Sequence, residues 1–224
     1  MFEFEIFDKF NWLIHPLFLS AKVIAVSCVL LVILGLPLAY LIATYKGKFR
    51  AFLECVVMFP LIFPPIATGF LLLYIFGKSG LIGKYLHLNL VFSFWALVIA
   101  AFLAGLPLFV KPVSVAFESF PKNLIEAGFS LGKNKFQIFI YIVLPSLIKN
   151  IVSALILALS RSLGEVGITL MLGGNIIGKT DTISLAIYNA VYDGENEKAL
   201  VFSLILVVLG ILMFYLTNKF TKKI

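Results

Sequence analysis

Polar and apolar residues divide this chain into long hydrophobic runs joined by short hydrophilic segments. Leu17–Thr44 is the first run, with Lys22 near one end, where its stem can snorkel to an interface. Phe52–Phe76 is the second and carries Pro60, Pro64 and Pro65, while the third, Leu90–Val110, holds no charge. The fourth, from Phe136 to Leu159, is less regular, with Pro145 and Lys149 inside it, and the fifth, Ala199–Asn218, is again uncharged. A bilayer core takes about 20 apolar residues per helix, so the pattern predicts an all-α, polytopic membrane protein with about five transmembrane helices.

The connections are Tyr45–Ala51, Gly77–Asn89, Lys111–Lys135, the long Ser160–Lys198 and a basic tail. Lys46, Lys48, Arg50, Lys111, Lys122, Lys133, Lys135, Lys219, Lys222 and Lys223 fall on one side of the resulting topology. Lys9, Lys78, Lys84, Lys179 and Lys198 are spread over longer segments on the other. Positive residues stay inside, which puts the amino terminus outside, the carboxyl terminus in the cytoplasm and Lys111–Lys135 in the cytoplasm.

Composition agrees and removes rival classes. The 224 residues are 62% hydrophobic and 13% charged, with mean hydropathy +1.09, which leaves no room for a water-soluble domain beside the spans. One transmembrane domain, residues 1–224, is expected. The net charge of +7 is dispersed between spans, without the basic cluster that nucleic acid would require. Cys28 and Cys55 lie in apolar runs and read as small hydrophobic residues. His15 and His87 read as interfacial anchors, with no Cys or carboxylate at metal-ligand spacing, so no metal site is expected. Met1–Asp8 carries Glu3, Glu5 and Asp8 where a cleavable signal would be basic, and the first span is expected to serve as the insertion signal.

The second run, F-P-L-I-F-P-P-I-A-T-G, concentrates helix breakers in one membrane segment. Such breaks persist only where neighbouring helices or a water-lined cavity satisfy the freed backbone groups. Pro64 and Pro65 therefore mark either a packing kink or a bend lining a pathway.

Glu126–Pro145, EAGFSLGKNKFQIFIYIVLP, looks built for an aqueous partner yet lies between membrane spans. Glu126, Ala127 and Gly128 begin a short helix whose small residues permit close approach. Gly132, Lys133 and Asn134 read as its stop, and Pro145 as a kink in the helix that follows. The spacing E-A-G, three residues, G, nine residues, I-x-L-P resembles the coupling loop of ABC-importer permeases. The resemblance implies that a cytoplasmic loop of about residues 117–136, with Glu126, Ala127, Gly128 and Gly132, docks into a cleft on a separate ATPase subunit.

Gly173–Thr180, GGNIIGKT, matches the nucleotide-binding pattern G-x-x-x-x-G-K-[ST]. That motif works between a strand and a helix in an α/β domain, and the pattern here offers no strand-helix repeats. Ser160–Tyr188 instead resembles the molybdate permeases, which usually carry proline where Ile177 stands. Phe59–Gly69 and Gly77–Gly83 resemble the same family. The likeness covers nearly the whole chain beyond residue 17. It implies a type I importer fold, a homodimer, two ATPase subunits that use ATP and Mg, and an extracytoplasmic binding protein docking near Gly174, Asn175 and Lys179.

No residue argues for catalysis, and no cofactor is expected in this chain. Arg161 and Glu165 are four apart and share a helix face, which suits either a structural ion pair or a cation beside an anion's passage. Ser160, Ser162 and Thr169 are hydroxyl candidates for weak, transient anion contacts. The sequence reading is thus a molybdate permease subunit in the cytoplasmic membrane of a prokaryote. Tungstate, sulfate or thiosulfate are the alternative cargoes. A secondary transporter is disfavoured because no chain of midplane carboxylates is visible.

Overall fold

Lipid is as apolar as leucine, so membrane helices gain little by hiding leucines from it and associate where small residues let backbones meet. This chain places such a seam at its centre. In the computed structural model, which describes residues 2–78, 80, 84 and 90–221 (2–11 and 221 by backbone alone), the central helix is α5, Phe94–Glu118. To keep numbering in chain order, the preceding helices are α1 (Phe2–Leu30), α2 (Leu36–Thr44), α3 (Lys48–Ile62) and α4 (Pro65–Phe76). Those after it are α6 (Lys122–Ser130), α7 (Lys135–Ile138), α8 (Leu144–Leu163), α9 (Gly167–Gly173), α10 (Ile183–Tyr192) and α11 (Asn196–Thr221). Every regular element among the described residues is helical.

Ala96, Ala100, Ala101, Ala104 and Gly105 of α5 are buried, and α8 answers with Ala154, Ala158 and Ser162 at helical spacing. A Cβ on Gly105 would stand 2.7 Å from Ser162 Oγ and 3.1 Å from the Ala158 carbonyl, so the two backbones touch because no side chain intervenes. The Ser162 hydroxyl donates across the seam to the Ala101 carbonyl at 2.6 Å. Around it lies the main core, which includes Leu31, Ile42, Phe109, Val110 and Val113.

Two prolines that helix geometry would reject are accommodated in the same way. Leu31–Gly35 precedes Pro37, and Phe139–Val143 precedes Pro145; both five-residue stretches are wound as π-helix. Proline lacks the N–H and its ring crowds the carbonyl four residues back, and the wider turn relieves that crowding. The first span is thus one continuous rod over Trp12–Thr44, and the fourth runs Lys135–Leu163.

The second run departs from the expectation of a single membrane helix. It breaks at Phe63–Pro64 into α3 and α4, whose axes are bent by 114°. Pro64 and Pro65 follow one another, so neither N–H is available to continue α3. The third span also differs: it starts at Phe94 and continues through Lys111 and Pro112 to Glu118, turning part of the expected cytoplasmic connection into helix. The long Ser160–Lys198 connection contains the end of α8 and all of α9 and α10. Outside the core, Ile183, Ala186 and Phe202 cluster with Trp12 and Leu17, joining α1, α10 and α11.

Candidate functional site

The polar features gather in two regions. The first is α6 and its exits. Glu126 and Ala127 are exposed, and one turn along, Ser130 donates to the Glu126 carbonyl at 3.0 Å. Gly128 faces the other way: it is buried, and a Cβ there would come within 2.9 Å of Ile138 Cγ1 and 3.0 Å of Ile142 Cδ1. The close approach expected of Gly128 is therefore made within this chain, against the start of the fourth span.

Gly132 is the helix stop that the sequence predicts. Nothing lies within 4 Å of a Cβ placed on it, and its φ is +75°. Its N–H donates to the Phe129 carbonyl at 2.9 Å and the Lys133 N–H to the Gly128 carbonyl at 3.1 Å, the paired bonds of a Schellman stop. Gly132 thus ends α6 through its backbone, not by making room for a neighbour. Asn134, expected as part of the stop, opens the next helix instead: its side chain accepts from the Gln137 N–H, and Gln137 returns the bond to the Asn134 N–H. The two caps fix the direction in which α6 gives way to α7.

Sequence reasoning missed an ion network beside this unit. Arg50 Nη2 lies 2.7 Å from Glu118 Oε1 and 3.2 Å from Glu54 Oε1, and Lys111 Nζ lies 3.0 Å from the same Glu54 oxygen. It pins the start of α3 to the last turns of α5, a few residues before α6. The spacing of Arg50 and Glu54 was a visible signal, whereas Lys111 and Glu118 become neighbours only because α5 runs on past Val110.

The second region surrounds the proline break. Gly69 of α4 and Gly167 of α9 let two backbones cross. A Cβ on Gly69 would meet Met171 Cβ at 2.8 Å and Ile168 Cα at 2.9 Å, and one on Gly167 would meet Pro65 Cβ at 2.8 Å. Pro64 is exposed and Pro65 half-buried at this crossing. The ion pair expected from the Arg161 and Glu165 spacing is present, Nη1 to Oε2 at 2.8 Å, and the Glu165 side chain is only 2% exposed. Glu165 also accepts from the Ile168 N–H at 2.9 Å, so it holds the first turn of α9 as well as the arginine. The hydroxyl candidates are mostly committed inside the chain. Ser162 donates to Ala101 and Ala158, Ser160 donates to the Ile156 carbonyl, and Thr169 is buried.

Gly173–Thr180 is a compact turn with none of the geometry of a phosphate loop. It follows α9 and no strand, and Gly174, Asn175 and Gly178 all have positive φ. Thr180 is fully buried and its hydroxyl accepts from the Ile176 N–H at 2.7 Å, which closes the loop on itself. Asn175 and Asn189 exchange amide hydrogen bonds that fasten it to α10, leaving Ile177 and Lys179 exposed at its tip. His15, expected as a solitary anchor, is brought by the fold to Asp181: Nδ1 and Oδ1 are 3.1 Å apart. His87 and part of Gly77–Gly83 lie outside the described residues. Among the described residues no group of His, Cys, Asp and Glu could hold a metal ion.

The same chain order and helix arrangement recur in known proteins. The molybdenum transport system permease protein ModB of Mycobacterium tuberculosis is 37% identical over 201 residues, covering 88% of this chain and 75% of that one. ModB of Escherichia coli K12 is 34% identical over 186 residues, with 80% of each chain covered. A solved chain of the inward-facing MetNI methionine ABC transporter superposes with a TM-score of 0.73 over 95% of both chains at 20% identity, a likeness of fold. The family described as binding-protein-dependent transport system inner membrane component matches residues 35–224. This chain, a type I importer permease in fold and a transport subunit in kind, belongs to that family of multi-pass inner membrane components.

Proposed function

We propose that this chain is the membrane-spanning half-pathway of an ATP-driven molybdate importer, working as a homodimer with two ATPase subunits and an extracytoplasmic binding protein. The observation that carries the reading is the exposed Glu126–Ala127 surface of a rigidly capped helix, presented between the third and fourth spans. The names of the relatives support molybdate as cargo. ATP and Mg belong to the ATPase partner; this chain's contribution is to bind that partner and change access.

In this reading the coupling segment of residues 117–136 presents Glu126 and Ala127 to a cleft on the ATPase, while Gly128 and Gly132 hold the helix in position. Motion of α6 reaches α5 directly and α3 through Arg50 and Glu118. From α3 it passes the Pro64–Pro65 break to α4, and across Gly69 and Gly167 to α9, whose first turn is held by Glu165, the partner of Arg161 at the end of α8. Arg161, balanced by Glu165, attracts an oxyanion without holding it, as conduction requires. Ser160 and Thr169 flank that passage, and Ser162 keeps α8 in place beside it. The tip formed by Gly174, Asn175 and Lys179 faces the binding protein. The basic connections put the amino terminus outside and the carboxyl terminus in the cytoplasm.

Uptake of radiolabelled molybdate by cells carrying the permease with its cognate ATPase and binding protein tests the reading. Molybdate and tungstate should compete, and sulfate or thiosulfate should not. Preferential competition by sulfate would reassign the cargo; uptake independent of the ATPase would remove the importer assignment. Tags near Lys48 and at the carboxyl terminus should report from the cytoplasm, and one near Glu195 from outside.

A further inference from the structure

Beside α6 lies a cavity of about 350 Å³ that the transport reading does not use. Its walls come from the end of the first span, the end of α5, α6 itself and the start of the fourth span, with Tyr40, Phe117, Phe129 and Phe139 as the aromatic lining. Tyr40, Phe117 and Phe139 pack on one another with ring centroids 4.9–5.9 Å apart, which gives the cavity a stiff back wall. Tyr40 and Phe129 nonetheless remain 43% and 46% exposed. The polar side chains of the lining are Tyr40, Thr44, whose hydroxyl is already donated to the Tyr40 carbonyl, and the exposed Lys135.

We propose that this cavity binds an anionic phospholipid of the cytoplasmic leaflet, with an acyl chain against the aromatic wall and the phosphate at Lys135. Three observations select that occupant. The cavity lies where three membrane spans end, so a lipid tail reaches it from the bilayer while its headgroup stays at the surface. The sequence next to its lining is basic: Lys46 and Lys48 follow Thr44, and Lys133 precedes Lys135, all of them exposed. Basic pockets of this kind at the ends of spans attract anionic headgroups. Glu118, the acid nearest in sequence to Phe117, is already held by Arg50 at 2.7 Å. Glu126 is not among the residues that line the cavity. A lipid lodged there props α6 against the first and fourth spans, so its presence sets the tilt at which the helix meets its partner.

The identification of the leaflet rests on the orientation proposed above. The test uses the full chain in vesicles of phosphatidylcholine doped with phosphatidylglycerol bearing a photoreactive group on one acyl chain, followed by mapping of the labelled peptides. Labelling at residues 40–44, 117–129 and 135–143 is expected, weakened about fivefold by Lys135→Gln, the weight of one lysine at an anionic surface. Ala43→Trp, which fills the cavity from its wall, should abolish labelling with the fold intact by thermal unfolding. Inorganic phosphate should not displace the lipid. Equal labelling by the phosphatidylcholine analogue, unaffected by Lys135→Gln, would overturn the anionic assignment. No labelling of these peptides would overturn the site. Labelling only by phosphatidylglycerol confined to the leaflet opposite the Lys48 tag would overturn the site, since Lys48 adjoins the lining residue Thr44, whereas a Lys48 tag reporting from outside would refute the orientation and leave the site standing.

Discussion

Arg50 and Glu118, far apart in sequence, meet at 2.7 Å where α3 begins and α5 ends. Both side chains are about a third exposed, at 32%. The pair is therefore worth no more than about 1 kcal/mol to stability, because solvent screens it. Its place matters more than its strength, since Glu118 is the last residue of α5 before the turn into α6.

Charge reversal at either end should accordingly leave folding nearly intact and impair coupling. Arg50→Glu and Glu118→Arg should each lower transport per ATP hydrolysed in the assembled complex, and the double swap should recover part of it. Glu54, which also accepts from Lys111, makes the Arg50 variant the more severe of the two. Recovery is measured as uptake and ATPase activity in the same proteoliposomes; two additive defects with no recovery would mean that the pair transmits nothing.

Gly132→Ala should destabilise the end of α6 by about 1–2 kcal/mol, since a side chain at φ +75° is strained even with nothing nearby to strike. Gly132→Asn should cost less, because asparagine is the next-best residue for a left-handed helix stop. The readout is ATPase retention during purification of the permease at matched membrane levels. If alanine and asparagine behaved alike, the backbone explanation of Gly132 would fail.

At Glu165 burial reverses the usual weakness of surface pairs. Removing the arginine strands a carboxylate that is 2% exposed, and breaking a buried pair this way costs about 3–5 kcal/mol. Arg161→Ala should thus lower the unfolding temperature sharply, whereas Arg161→Ala with Glu165→Gln, which loses the charge and keeps an acceptor for the Ile168 N–H, should regain stability and still transport poorly if the arginine attracts the anion. Full transport in the double variant would make the pair purely structural.

The spans were legible because each is a long run with at most one charge, and their ends were not, because ends depend on neighbours. Lys111 looks like the start of a loop until Glu54 of another helix is seen to hold its ammonium at 3.0 Å. The prolines at 64 and 65 announced a break, but the angle is set by α9, where glycine at 167 admits Pro65. The small residues of the coupling segment were equally visible. That Gly128 turns inward on Ile138 while Ala127 turns outward needed the helix to be placed. Asp181 beside His15 left no local trace at all, since nothing in either neighbourhood points to the other.

The loop that matches a nucleotide motif should behave as an ordinary loop. Lys179→Ala removes an exposed side chain at its tip and should leave ATP hydrolysis by the complex unchanged. Thr180→Val is the damaging change, because it leaves the Ile176 N–H without its partner inside the protein, a loss of about 1–3 kcal/mol. Saturable ATP binding by the isolated permease, lost in the Lys179 variant, would reverse this view.

Glu126 offers the sharpest separation of coupling from folding. It is exposed, lies on a helix that is capped independently of its side chain, and is the lone acid of a segment that also carries Lys122, Lys133 and Lys135. Nothing in the permease fold depends on its carboxylate, so Glu126→Lys should insert and unfold like the parent. A charged group held in a partner's cleft is another matter, since truncating one side of a desolvated pair costs about 2–5 kcal/mol or more. That is enough to lower ATPase affinity by roughly thirtyfold or beyond. Glu126→Gln, which keeps the shape and loses the charge, should fall between parent and lysine. ATPase co-purification and molybdate uptake, compared at equal permease levels, give the ordering parent, glutamine, lysine if the carboxylate docks. Identical uptake in all three would mean that α6 meets its partner through another face, and Ala127 would be the next residue to change.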